Sequence, residues 1–192
     1  MKNRLISLSI IIIAFLFLIL QDSYSQEVFR KGGQLYVNYK GKQYELKQYV
    51  DSIDVFKYYS LQYRPLKGQD LPEEFGLVLI MDREGKVIKE ITNTEYCPEI
   101  ITYYLDNNKG FQDLILLWNA GAHSQTVEVW KNNKNKDFVK VFEQFSDKNI
   151  RFLVKDGVPA LAFKKEYPMS ALNDNFSDKA WDFYKWNGKT FK

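Results

Sequence analysis

After residue 25, the apolar side chains of this chain return at every second position or sit in blocks too short for helices. That rhythm constrains the fold more than any other feature. A period of two belongs to a half-buried β-strand, whose successive side chains point to opposite faces; a surface helix needs 3.6. QLYVNY (34–39), KQYELKQY (42–49), KVIKEI (86–91), TVEVWK (126–131) and DFVKVFEQF (137–145) follow it. FGLVLIM (75–81) and DLILLW (113–118) are apolar throughout, as in strands buried on both faces. Over 50–62, VDSIDVFKYYSLQ permits a short helix with Val50, Ile53 and Phe56 on one face, or an extended form that suits its tyrosines. Lys40-Gly41, Glu84-Gly85, Asp156-Gly157 and Asn187-Gly188 each put a glycine where a hairpin turn requires positive φ. The chain therefore reads as all-β, built from antiparallel hairpins.

Those turns also carry a loose repeat. YKGKQYEL (39–46), DREGKVIKE (82–90), NNKNKDFVKV (132–141) and KWNGKTFK (185–192) share a turn, a lysine and an apolar residue two positions on. The lysines are Lys42, Lys86, Lys136 and Lys189, with spacings of 44, 50 and 53 residues. A shift of 47 residues likewise lays NKGFQDLILLW (108–118) on VKDGVPALAFK (154–164), Gly110 on Gly157 and Leu114 on Leu161. Such a period suits a propeller blade. The expectation is a propeller-like fold with few or short blades, the alternative a β-sandwich or barrel. QLYVNY pairing with the C-terminal WDFYKW could close a partial propeller.

The first 25 residues point to export. Lys2 and Arg4 precede an apolar run from Leu5 to Leu20, and Ser23 and Ser25 stand at the small-residue positions of a signal-peptidase cut. Residues 1–25 read as a signal peptide and 26–192 as one all-β domain outside the cytoplasm, periplasmic or secreted. The apolar run is shorter than the roughly 20 residues of a bilayer span, so no membrane span is expected after cleavage. With 27 basic and 24 acidic residues the net charge is only +3, which predicts no nucleic-acid partner. Cys97 is the single cysteine and His123 the single histidine, which excludes an internal disulfide and the usual zinc sets.

Residues 101–130, ITYYLDNNKGFQDLILLWNAGAHSQTVEVW, hold an Asp/Asn-rich turn, an apolar strand, a turn ending in Ala122-His123, and a second strand ending in an aromatic. This stretch resembles one unit of the secreted bacterial FG-GAP or VCBS repeat proteins. The resemblance implies a propeller-like repeat in which the Asp-rich turn can bind calcium. Asp106, Asn108 and Asp113 would supply the side-chain oxygens of the six to eight that calcium takes. Lys109 in the same turn opposes a dication, so no cofactor is expected; without calcium, Asp106 and Asn108 form Asx-type turn bonds. His123 is expected to brace its turn through backbone hydrogen bonds. Its neighbour Ser124 points to the opposite strand face, which is unsuited to serine activation.

No residue set singles out a catalytic centre. The expected function is an exported, non-enzymatic binding or scaffold module for a protein or carbohydrate, with His123, Trp118, Trp130 and Trp186 as candidate ligand-binding residues. Two rivals stand beside it. One is a secreted inhibitor of a cell-wall-degrading enzyme, inserting the lysine-rich turn at 131–136 or the segment 167–178 into a cleft. The other is a carboxylate-dependent hydrolase, for which spacing picks out no pair.

Overall fold

The computed structural model describes residues 28–51, 56–63, 75–93, 96–106, 111–120, 124–165 and 180–192. Among them lie thirteen β-strands in three antiparallel sheets. Sheet A holds β1 (Val28–Lys31), β2 (Gln34–Tyr39), β3 (Lys42–Asp51), β4 (Lys57–Tyr63), β5 (Phe75–Met81) and β6 (Val87–Asn93), paired in chain order. Sheet B holds β7 (Tyr96–Tyr103), β8 (Asp113–Asn119), β9 (Gln125–Asn132) and β10 (Phe138–Ser146), again in chain order. Sheet C holds β11 (Ile150–Lys155), β12 (Val158–Lys164) and β13 (Trp181–Lys185). No described helix is long and apolar enough to cross a membrane; the run 5–20 lies outside the described residues.

The turn chemistry places these strands. Lys40 and Gly41 both adopt positive φ, 48° and 73°, which matches the twist of the β2–β3 hairpin. Lys134 and Asn135 do the same between β9 and β10, at 53° and 59°. Here side chains replace the missing glycine: Asn132 Oδ1 accepts the Asn135 N–H and Asn132 Nδ2 donates to Asn135 Oδ1, each at 2.8 Å.

The alternation of the sequence becomes layering. One face of sheet A (Tyr58, Val78, Ile80, Ile91) packs on one face of sheet B (Ile100, Leu114, Leu116, Trp118, Phe138). The other face of sheet B (Ile115, Leu117, Val127, Val129) packs on sheet C (Ile150, Leu161, Phe163) with Trp186 and Phe191. Sheet B is thus the middle layer, which explains why β8 reads DLILLW: it is buried on both faces. Sheet A curls. Tyr39 on β2 donates to Glu90 on β6 at 2.6 Å, and Lys40 Nζ reaches both Glu90 oxygens, although three strands separate β2 from β6 in the ladder. A third apolar cluster, Val37, Tyr44, Leu61, Leu77, Leu79 and Met81 among its members, lines the face turned away from sheet B.

Of the two forms open to 50–62, the extended one is found in β3 to Asp51 and in β4 from Lys57, whose tyrosines alternate between the two buried faces of sheet A; residues 52–55 lie outside the described residues. One expectation changes. QLYVNY does not pair with WDFYKW: β2 is flanked by β1 and β3, and β13 pairs with β12, so both sides of β2 are already occupied. Of the four turns in the loose repeat, the Lys42 turn opens β3, an interior strand of sheet A, and the other three stand near the ends of the sheets. The Lys86 turn opens the last strand of sheet A, the Lys136 turn opens the last strand of sheet B, and the Lys189 turn leads to the terminal bridge between Trp186 and Phe191 beside sheet C. The pair related by 47 residues becomes β8 and β12, each the second strand of its sheet.

Candidate functional site

The side chains that stand out for chemistry fall into two clusters on opposite faces of sheet B, each built around a buried carboxylate. On the face toward sheet A that carboxylate is Glu128. The alternation of TVEVW puts Thr126, Glu128 and Trp130 on one side of β9, and the pairing of β8 with β9 brings Trp118 across from Thr126. Trp118 Nε1 and Trp130 Nε1 both donate to Glu128 Oε2 at 3.1 Å, and Lys140 Nζ donates to Glu128 Oε1 at 3.2 Å. Lys140 also reaches Glu143 at 2.6 Å. The ammonium groups of Lys89 from sheet A and Lys140 each lie 5.6 Å from the Trp130 ring centre, and Lys89 bonds Asp137 at 3.1 Å.

On the face toward sheet C the carboxylate is Asp113, at the start of β8. Its Oδ1 accepts the Asn132 N–H at 2.9 Å; its Oδ2 accepts the Leu105 N–H at 3.2 Å and the Lys131 ammonium at 3.0 Å. Lys131 bonds Asp106 Oδ2 as well, at 2.6 Å, and Asp106 Oδ1 accepts the Trp186 indole N–H at 2.7 Å. Asp106 precedes β8 and Trp186 follows β13, so this chain of bonds ties sheet B to the end of sheet C.

The electrostatics follow from burial and partners. Burial raises the Asp113 carboxyl above the usual carboxylate range, more than its N–H donors and Lys131 lower it. At the more open Asp106, burial also pushes upward, but the Lys131 and Trp186 hydrogen bonds outweigh it and hold the group low. Burial presses Lys131 downward, yet its two carboxylates prevail and raise it.

The residues singled out in the sequence are thus distributed as follows. Asp106 and Asp113 meet, but through an ammonium: Lys131 lies between them where a metal ion would, and their remaining oxygens face N–H donors. Calcium takes oxygen ligands, and here the oxygens of both carboxylates are engaged by the Lys131 ammonium and by N–H donors. Among the described residues no group of three or more His, Cys, Asp or Glu side chains gathers in a way that could hold a metal ion. Asn108 and His123 lie outside the described residues. Trp118 is fully buried, Trp186 is buried against Phe191, and Trp130 is half-buried at the rim.

The sequence does not single out Glu128 and Lys140, and it sets Lys131 in the lysine-rich turn at 131–136 and not beside Asp106 and Asp113. The signal for Glu128 was present in the alternation, which sets an acidic residue among the apolar ones of a strand with one tryptophan two residues on; the cross-strand register that brings Trp118 and Lys140 to it is not a local property. Comparison with protein-family models, with curated proteins and with solved structures finds no match for this chain.

Proposed function

We propose that this chain is an exported, non-enzymatic binding or scaffold module with a propeller-like arrangement. The observation that carries this reading is the engagement of the buried carboxylates at the two clusters, Glu128 and Asp113. Glu128 accepts from two indoles and a lysine, and Asp113 from two backbone N–H groups and a lysine. A carboxylate acting as general base or nucleophile needs an oxygen turned toward substrate; these oxygens are turned toward the frame. Three meanders that follow one another in sequence and stack face to face support the propeller-like arrangement. The signal-like residues 1–25 support export.

One rival has an observation of its own. The turn between β9 and β10 exposes Lys134 and Lys136 on a backbone pinned by Asn133 N to Asp137 O at 2.8 Å and by Asn132. A rigid cationic turn is what an inhibitor would insert into an acidic cleft.

A single set of assays separates these readings. The purified chain is tested for retention on insoluble peptidoglycan and chitin, for turnover of polysaccharides and phosphoesters, and for inhibition of lysozymes. Retention without turnover is expected. Turnover that disappears in Glu128→Gln would overturn the non-enzymatic reading; lysozyme inhibition that disappears when Lys134 and Lys136 become serine would replace it with the inhibitor.

A further inference from the structure

We infer that the outer edge of β10 pairs with the same strand of a second copy, joining two B sheets into one of eight strands about a two-fold axis. Among the described residues β10 is the terminal strand of sheet B, and it carries the two most exposed large apolar side chains, Phe145 at 59 % and Val139 at 51 %. The unpaired side of an edge strand is a template for another strand.

The sequence of that edge is complementary to itself. When FVKVFEQF (138–145) is laid antiparallel on a second copy about the midpoint of Val141 and Phe142, Lys140 falls opposite Glu143, Phe138 opposite Phe145, and Val139 opposite Gln144. In a regular strand this register is forbidden, because residues three apart point to opposite faces. The bulge between Lys140 and Phe142 removes the conflict. The pairings Lys140↔Trp130 and Glu143↔Glu128 put Lys140 and Glu143 on one face, and the same shift puts Phe138 and Phe145 there together. Lys140 and Glu143 already bond within one chain at 2.6 Å, so the charge match between copies needs only an exchange of partners.

A bulge ordinarily blunts an edge, and the Thr190 hydroxyl donates to the Val141 carbonyl at 3.0 Å. The ladder between copies therefore forms on either side of the bulge, from 138–140 and 143–145, and leaves Val141 to Thr190. Opposite charges face across each half, and the exposed Phe145 is covered by the phenylalanine end of its mate. This interface is independent of what the module binds, and its failure leaves that reading intact.

Sedimentation velocity of the purified chain at micromolar to tens-of-micromolar concentrations is expected to show a dimer. Glu143→Lys sets lysine against Lys140 of the second copy at an exposed position; it should sediment as a monomer with an unchanged circular dichroism spectrum. A nitroxide on Ser146→Cys, in a chain that also carries Cys97→Ser so that only this position is labelled, should give one intermolecular distance of roughly 30 Å, the span of nine strand residues. A monomeric wild type overturns the proposal. So does a dimer that Glu143→Lys leaves intact, or a spin-label distance well away from that value.

Discussion

The two seams of the molecule, A on B and B on C, are both lined by aliphatic and aromatic side chains, yet they are fastened by different chemistry. Between A and B the fasteners are mostly neutral. β7 is an edge strand of sheet B, and its outward backbone groups are captured by side chains of sheet A. Gln48 both donates to the Ile100 carbonyl at 3.1 Å and accepts the Ile100 N–H at 2.8 Å; the Ser60 hydroxyl donates to the Pro98 carbonyl at 3.0 Å; Gln62 accepts the Cys97 N–H at 2.8 Å. An ion pair that crosses this seam, Lys89 with Asp137, is exposed and worth little. Between B and C neutral bonds cross as well, the Ile150 N–H to Gln125 Oε1 at 2.7 Å and the Thr190 hydroxyl to the Val141 carbonyl at 3.0 Å, but a charged chain is added to them, from Asp113 to Lys131 to Asp106 to Trp186. The difference teaches that a buried edge can be closed by amides that mimic a strand, whereas two sheet faces are tied at their rim by an ion network that answers to pH and to single charge deletions.

The largest effect should come from the A–B seam. Trp118 is fully buried, and its indole fills the interface while donating to Glu128. Trp118→Ala leaves a cavity with no neighbour able to close it and should cost about 4 kcal/mol. Chemical denaturation is the direct measurement; a loss below about 1 kcal/mol would mean that the A–B core is not continuous through this side chain.

Next should come the B–C network. Lys131→Met removes the cation shared by Asp113 and Asp106 and leaves Asp113 buried beside two N–H donors, at a cost of about 3 kcal/mol. The variant also carries a sign. With the ammonium gone, burial raises the folded Asp113 carboxyl further, so its penalty is absent below the unfolded value of about 3.9 and grows as pH rises through the folded one. A melting deficit that widens from pH 4 to pH 7 fits this; one that stays constant removes Asp113 from the account.

How far the sequence reveals this comparison depends on range. The period-two pattern and the turns at Lys40-Gly41 and Asp156-Gly157 announce the hairpins because both are local. The doubly buried β8 was legible in DLILLW for the same reason. Which strands share a sheet was not: QLYVNY and WDFYKW are each good strands, and nothing within either forbids their pairing until β1, β3 and β12 take up those edges. The candidate site was legible in part. Asp106 and Asp113 were singled out as cation ligands and do share a cation, but that cation is Lys131, a side chain from a strand 18 residues beyond Asp113. Glu128 is not singled out by the sequence, and only the register of β8 and β10 encloses it.

A smaller effect tests the neutral fasteners. Gln48→Leu removes both partners of the Ile100 peptide at a half-buried position and should cost about 2 kcal/mol, since a backbone donor and acceptor lose their partners together. Amide hydrogen exchange locates the damage: protection should fall at Ile100 while the amides of β11 and β12 keep theirs. Equal loss on both sides of sheet B would erase the distinction between the seams.

The smallest effect is acid loosening of the B–C seam alone. The Asp106 carboxyl is held low in the fold, so its contribution is present above the unfolded value of about 3.9 and is lost as pH falls through the folded value beneath it. Asp113, raised by burial, opposes this by favouring the fold as it protonates, and Asp106 is about a third exposed, so solvent screens part of its attraction. The net change in global stability should therefore be slight, and the local readout is the sharper one. The Trp186 indole N–H donates to Asp106, whereas those of Trp118 and Trp130 donate to Glu128, so each can be followed as its own nuclear magnetic resonance signal. Below pH 4 the Trp186 signal should shift, and the amides of β11 to β13 should exchange faster while those of β7 hold. If β7 loosens first, the neutral ties are the weaker ones and the charge network is the stronger clasp.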